Sequence, residues 1–184
     1  MPERADAARN RAAILAAAEH LLANDPETST EDIARAAGVG KGTVFHRFGS
    51  RAGLIRALVE QRSQTVLSAI ATGPPPLGPG APPADRLIAF FDAVIALATK
   101  NIGLMAAYEQ SEDRQAGAMY QAWHQHVTAL LTESRPDLDG ELLAHILLGS
   151  LHSDLVLHLL RRRETARLRK TLHQLVSSLA GGVL

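Results

Sequence analysis

The chain has 184 residues, 46% of them hydrophobic, and its 19 basic and 19 acidic residues leave no net charge. This length suits one or two small domains with a packed core, and the balanced charge gives no bulk electrostatic argument for nucleic acid. Cysteine is absent, which excludes disulfides, thiolate-bound metal and a cysteine nucleophile.

The N-terminal stretch MPERADAARNRAAIL alternates charges and lacks the apolar segment of a signal peptide. No window reaches the roughly 18 uninterrupted apolar residues that a membrane-spanning helix needs. We therefore expect a cytoplasmic protein with no membrane partner.

Helical periodicity begins at residues 9–23, and Pro26 ends this first helix. Ser29 and Asp32 have the spacing of a capping box, which predicts a short second helix that ends at Gly38. A third helix is predicted over residues 41–48.

Ser50 is the predicted cap of a fourth helix that begins at Arg51. The second and third helices are short and are joined by a glycine-containing turn, as in a helix-turn-helix. Their apolar positions can close a small core with the first helix; these are Ile14, Leu21, Ile33, Ala34, Ala37, Val39, Val44 and Phe48.

Residues 73–83 hold six of the nine prolines and three glycines, which excludes a helix or strand there. This segment is either a hinge between domains or, as we prefer, an exposed flexible loop inside a second domain. Further helical periodicity follows at 84–100, 103–113, 114–134, 139–163 and 165–184, with breaks at Gly103, at 135–137 and near Glu164. No strand pattern occurs, so the sequence predicts an all-α fold with a helix-turn-helix domain at 1–60 and a second helical domain at 61–184.

Positive charge is concentrated locally, because the ionised residues from Gly40 to Arg56 are all basic. A helix-turn-helix places its second helix in the major groove, while nearby amides and cations hold phosphates. Residues with suitable side chains or positions are Thr30, Lys41, Gly42, Thr43, Phe45, His46, Arg47 and Arg51. The alternative is that Phe45 and Phe48 belong to the core and that the cations form a solvated face.

The stretch STEDIARAAGVGKGTVFHRFGSRAGLIRALVE, with the helix before it, resembles the DNA-binding domain of the tetracycline-repressor (TetR) family of bacterial regulators. The resemblance covers roughly residues 9–60. It implies a homodimer that binds a palindromic double-stranded DNA operator, and a C-terminal domain whose small-molecule effector releases the DNA. The function expected on this basis is that of a ligand-responsive transcriptional regulator, in particular a repressor.

Matched position by position, the resemblance assigns DNA contact to Thr30, Lys41, Gly42, Thr43, Phe45, His46, Arg47 and Arg51. Two features depart from the family's common pattern. Gly40 replaces the serine or threonine often found before the lysine, and Phe45 with His46 replaces a pair of tyrosines. The departures bear on base preference and not on DNA binding itself.

In a dimeric repressor the last two helices pair with their symmetry mates as a four-helix bundle. The predicted interface residues are Leu147, Leu151, Leu155, Leu159, Leu172, Leu175 and Leu179. The alternative is that these leucines serve the core of a monomer.

Bulky and hydrogen-bonding side chains suited to an effector pocket concentrate between the loop and the predicted interface. They are Met105, Tyr108, Glu109, Met119, Tyr120, Trp123 and His124. Six of the eight histidines lie beyond residue 120. Sensing of metal through pairs such as Asp154 and His158 is an alternative, but we predict no metal site and no cofactor, and favour polar or pH-sensitive histidines at the interface.

Other functions have less support. The motifs of hydrolases, metalloproteases and phosphate-binding loops are absent, so the chain is predicted not to be an enzyme. A helical partner-binding protein is the remaining alternative, and the sequence does not separate a repressor from an activator.

Overall fold

The computed structural model describes residues 2–109, 117–151 and 153–180. Within these ranges every regular element is an α-helix, as predicted. The helices are α1 (Pro2–Asn24), α2 (Thr30–Ala36), α3 (Lys41–Phe48), α4 (Arg51–Thr72), α5 (Pro83–Lys100), α6 (Ile102–Glu109), α7 (Ala118–Ser134), α8 (Gly140–Leu151), α9 (Asp154–Arg161) and α10 (Thr165–Ala180).

The helices form two compact units. The first comprises the described residues up to Arg62 together with α6, and the second comprises Ser63–Lys100 with the described residues from 117 onward. Helix α6, which was predicted to lie in the C-terminal domain, packs against α1. The domain boundary at residues 60 and 61 remains a prediction.

The first unit has a small apolar core. In it α1 packs against α2, and α2 packs against α3. Of the predicted core residues, Ile14, Ile33, Ala34 and Val44 are buried, while Leu21, Ala37, Val39 and Phe48 are half-buried. Burial of these side chains fixes the relative positions of the two short helices.

The helix break predicted at Gly103 exists, but it lies at Asn101, between α5 and α6, and Gly103 itself lies inside α6. A Cβ atom at this position would lie 2.2 Å from the carbonyl oxygen of Leu22. A glycine at this position therefore allows α6 to approach α1 closely, and it does not end a helix.

The core of the second unit lies between α5, α7, α8 and α10. Phe90 and Phe91 of α5 are fully buried, and their rings meet edge to face at a centroid distance of 5.2 Å. The loop before α5 ends one residue earlier than predicted, because Pro83 is the first residue of the helix, where its missing N–H is not needed.

The single helix predicted over 139–163 is also wrong, since the structure has α8 and α9 there. Ser153 begins α9, and its Oγ accepts a hydrogen bond of 3.3 Å from the amide of Val156. A serine followed by an aspartate is a helix-start signal that the apolar periodicity obscured.

In the part of the chain that the structure describes, no single helix is both long and apolar enough to cross a membrane. Two bent pairs of helices reach the required length and composition only when each pair is taken together.

Candidate nucleic-acid interface and ligand site

The turn between α2 and α3 follows from its local sequence. The amide of Asp32 donates to Ser29 Oγ at 3.1 Å, which confirms the predicted cap. Gly38 has a φ of 69°, which favours glycine, and the amide of Val39 closes the turn on the carbonyl of Ala34 at 3.0 Å. The chain then enters α3 at Gly40.

Helix α3 has one buried side and one exposed side. Val44 is buried against the core, and Thr43 is half-buried. The opposite side exposes Lys41, Gly42, Phe45, His46 and Arg47. Phe45 is 68% exposed, which is unusual for a phenylalanine without an external partner.

The N-terminus of α3 is open to an anion. Gly40 is the N-cap and provides no side-chain hydrogen bond to the first turn. Helix N-termini carry partial positive charge and amides without helical partners, so a phosphate can bind there. The glycine at this position is the departure from the family's pattern noted in the sequence.

The three cations predicted to contact DNA differ in their surroundings. The ammonium of Lys41 lies 3.3 Å from the carboxylate of Glu31, and both side chains are exposed. The half-buried Arg51 donates from Nε to the carbonyl of Thr28 at 3.1 Å, and from the guanidinium to the carbonyl of Pro26.

Arg47 is exposed and has no hydrogen bond or ion pair to any described residue. Thr30 is half-buried as the first residue of α2. The structure therefore places seven of the eight predicted contact residues on α2 and α3, five of them exposed and Thr30 and Thr43 half-buried. Arg51 is instead hydrogen-bonded to the turn before α2. Contact with DNA remains a prediction for all eight.

The residues predicted to bind an effector are divided between the two units. Met105 and Tyr108 lie on α6 in the first unit. Met119, Tyr120 and Trp123 are buried on α7 in the second unit, where His124 is half-buried. The side chain of Glu109 lies outside the described residues. Effector binding by this set remains a prediction.

Helices α7 and α8 share a polar cluster. The hydroxyl of Tyr120 lies 2.6 Å from His145 Nδ1, and burial raises the pKa of this tyrosine. His124 Nε2 donates to the carbonyl of Glu141 at 3.2 Å, and the imidazole centroids of His124 and His145 are 3.9 Å apart. The planes of the two rings are inclined by 32° to each other.

Among the described residues no group of three histidine, aspartate or glutamate side chains is placed to hold a metal ion. The suggested partner of His158 lies outside this set, because the side chain of Asp154 is not described.

His126 is not among the site residues predicted from the sequence. Burial, and after it the positive charge of Arg86, lowers the pKa of His126 from 6.5 to about 4. Its ring also lies against Phe90, at a centroid distance of 5.4 Å. A signal was available in the sequence, because Arg86 interrupts the apolar face of α5 one turn before Phe90.

The leucines predicted at the dimer interface fall into two groups. Leu155 is 66% exposed and Leu175 is also exposed, while Leu151, Leu159 and Leu179 are half-buried. Leu147 and Leu172 are buried inside the same chain, because they lie on the inner sides of α8 and α10. The outer side of α8 instead exposes Leu142 and Ile146.

The chain was compared with known protein families, sequences and structures. Residues 14–58 match the family model described as bacterial regulatory proteins, tetR family. A stretch of 71 residues is 42% identical to the HTH-type transcriptional repressor LfrR of Mycolicibacterium smegmatis. This match covers 39% of the chain and 38% of LfrR.

The fold is similar over nearly the whole length to two solved structures. A putative tetR family transcription regulator from Shewanella sp. has a TM-score of 0.60 at 23% identity, with 91% of this chain and 95% of that chain covered. NalD, the secondary repressor of the MexAB-OprM multidrug efflux pump in Pseudomonas aeruginosa, has a TM-score of 0.57 at 24% identity, with 94% of each chain covered. These likenesses confirm the predicted fold, and the family match agrees with the prediction that the chain is not an enzyme.

Proposed function

We propose that the protein is a ligand-responsive transcriptional repressor, because residues 14–58 match the TetR family model and the chain has the fold of a putative tetR family regulator. It binds a palindromic DNA operator as a homodimer, and a small-molecule effector bound to the second unit releases it. It acts in the cytoplasm, together with the DNA that it binds.

The observation that carries the proposal is the exposed side of α3. This helix buries Val44 and presents Lys41, Phe45 and His46 together, at a helix N-terminus without a side-chain cap. A helix that serves only a core has no need to expose a phenylalanine. The same surface is suited to the major groove of DNA, where an aromatic side chain can contact a thymine methyl group.

In this binding mode the exposed side chains of α3 contact either phosphates or bases. The first-turn amides and Lys41 hold one phosphate, and Arg47 holds another from the far end of the helix. Phe45 and His46 lie between these two positions and reach base edges or sugars. Phosphate contacts set affinity and orientation, whereas the two ring side chains contribute to the choice of sequence.

Dimerisation is supported by the apolar side chains that α8, α9 and α10 expose. Leu142, Ile146, Leu155 and Leu175 account for four of the five large hydrophobic side chains that are exposed among the described residues. Because isolated exposed leucines are common but a set on adjoining helices is not, we assign these residues to the contact with a second copy. In such a dimer the two helix-turn-helix units are related by twofold symmetry, so the DNA site that they bind must be palindromic.

The test is a selection of binding sites from a random duplex library with the purified full-length protein. We expect enrichment of a palindrome whose half-sites are separated by about one or two turns of DNA. Affinity for the selected site is then measured as a function of salt for the Lys41→Ala and Arg47→Ala variants. Each substitution should reduce the slope of log affinity against log salt by about 0.9 for every phosphate that the variant no longer neutralises.

Lys170→Ala is the matched control, since Lys170 is an exposed lysine of α10, far along the chain from the proposed interface. Its salt slope should equal that of the wild type. Failure to enrich any palindrome, or an unchanged slope in both α3 variants, would contradict the proposal.

A further inference from the structure

Several buried polar atoms of the second unit have no hydrogen bond to the described residues, and three of them are nitrogen atoms of α5 and α7. They are Arg86 Nε, Trp123 Nε1 and His126 Nε2, and none of them has a hydrogen bond to the residues that the structure describes. Trp123 as a whole is only 3% exposed. Buried polar groups in folded proteins are nearly always hydrogen-bonded, so such a group indicates a partner that the chain itself does not supply.

Two of the three groups have ring contacts with one side chain, Phe90, and Arg86 lies close enough to His126 to lower its pKa. Arg86 precedes Phe90 by one turn of α5 and so lies on the same side of that helix. On α7, Trp123 and His126 are three residues apart and share a side as well. The centroid of Phe90 lies 5.7 Å from that of Trp123 and 5.4 Å from that of His126.

The electrostatics of this cluster favour a negative ligand. Arg86 is always ionised and has no acidic partner among the described residues. His126 is neutral at physiological pH, because burial and the charge of Arg86 lower its pKa to about 4. The cluster therefore has one positive charge, with no carboxylate to balance it.

The hydrogen-bonding capacity of the cluster also favours an acceptor. The indole N–H of Trp123 and the guanidinium of Arg86 can only donate, and neutral His126 donates from Nε2 in one of its tautomers. A carboxylate accepts all three hydrogen bonds, and its planar geometry fits the guanidinium.

We propose that Arg86, Trp123 and His126 anchor the carboxylate of an aromatic or long-chain organic acid, and that this acid is the effector. The assignment of this acid as the effector rests on the proposed function, because an effector can release DNA only if the protein binds DNA. Binding of the acid itself does not depend on DNA.

Trp123 is the only tryptophan of the chain, so its fluorescence reports directly on this cluster. The full-length protein is titrated with benzoate, 2-naphthoate and decanoate, and in parallel with the uncharged amide of each acid. We expect a saturable change of fluorescence with at least one acid, and affinity for its amide that is weaker by about tenfold or more.

Arg86→Gln should weaken binding of that acid by about tenfold or more, whereas Arg86→Lys should retain part of it. Arg167→Gln is the matched control, because Arg167 is an exposed arginine of α10 and its removal should leave the affinity unchanged. His126→Gln provides a second measurement if Arg86→Gln does not fold, as judged by thermal melting. Equal affinity for acid and amide, no saturation by any of the three acids, or unchanged affinity in the folded variants would overturn the proposal.

Release of DNA is measured separately, by adding the acid to the protein bound to its selected operator. Dissociation in the wild type and retention in Arg86→Gln are expected. If an acid binds without releasing DNA, the assignment as effector is wrong while operator binding stands. If no operator is found, the proposed function fails, but the fluorescence titration still decides whether the acid site exists.

Discussion

Two phenylalanines show how the two units of this protein differ. Phe45 on α3 is 68% exposed, whereas Phe90 on α5 is fully buried and touches both Phe91 and Trp123. In the first unit the candidate functional side chains point outward from a short helix. In the second unit they are buried together with the core.

The difference determines how function can be separated from stability in each unit. On α3 the residues that hold the fold, such as Val44, are distinct from those that we propose to contact DNA. In the second unit Trp123 belongs to the core and to the proposed ligand site at once. Substitutions on α3 should therefore act on DNA binding alone, and substitutions around Phe90 should act on folding and ligand binding together.

The largest effect is expected for Phe90→Ala. Removal of a buried aromatic ring leaves a cavity and costs about 3–5 kcal/mol in the free energy of unfolding. Phe45→Ala is the matched change at an exposed site and should alter stability by less than about 0.5 kcal/mol while weakening operator binding. Chemical denaturation of both variants gives the two free energies, and similar decreases would contradict the division between the units.

Arg51→Gln should have the next largest effect on stability. The side chain donates to the carbonyls of Thr28 and Pro26 just before α2, so its removal should cost about 1–3 kcal/mol. Arg47→Gln removes an arginine without such partners and should leave the melting temperature nearly unchanged. Thermal melting and the salt dependence of DNA binding are measured for both.

If Arg51 acts through the turn before α2, its variant binds DNA more weakly with an unchanged salt slope, whereas Arg47→Gln reduces the slope. A reduced slope in Arg51→Gln with a normal melting temperature would instead support the direct DNA contact predicted from the sequence.

A smaller effect is expected from pH, through His126. The unfolded chain takes up a proton at this residue near pH 6.5, and the folded chain does so only near pH 4, because its pKa is lowered mainly by burial and secondly by Arg86. Protonation between these values therefore favours the unfolded state, so stability is lost as the pH falls from 6.5 to 4.

The melting temperature is measured across this range for the wild type and for His126→Gln, in which the dependence should be smaller. His46→Gln, at an exposed histidine of α3, should keep the dependence of the wild type. An identical profile in all three proteins would rule out His126 as the cause.

The smallest effect is expected for Glu31→Gln. In the free protein Glu31 lies 3.3 Å from Lys41, and this exposed pair must open before Lys41 can bind a phosphate. Exposed pairs contribute about 0.2–1 kcal/mol, so affinity for DNA should rise by about 1.5-fold to fivefold. Glu133→Gln, at an exposed glutamate of α7, should leave the affinity unchanged. A weaker affinity in Glu31→Gln would show that the carboxylate orients Lys41 for binding.

Most of the local structure of the first unit was predictable from the sequence. Ser29 and Ser50 cap helices as expected, because capping depends on residues three positions apart. The glycine turn and the limits of α3 were predictable for the same reason. Interactions of such short range can be inferred without knowledge of the fold.

The helix ends that were predicted at the wrong place depend on interactions between residues that are distant along the chain. The break predicted at Gly103 lies at Asn101 instead, and Gly103 is inside α6, where the close approach of α1 leaves no room for a Cβ atom. The break before α9 was missed because apolar periodicity continues on both sides of Ser153. The apolar periodicity shows which residues can face a core, but it does not show where one helix must end and the next begin for those residues to be buried.

The sequence by itself determined the helical class, the helix-turn-helix and the residues available at its second helix, since caps, glycines and apolar spacing act within a few residues. Only the tertiary structure decided which charges have partners far along the chain. Arg51 reaches carbonyls 23 and 25 residues away, Lys41 reaches Glu31 across ten residues, and Arg86 acts on His126 of another helix. Contacts at such separations depend on how helices pack, because packing alone brings together side chains that are distant along the chain.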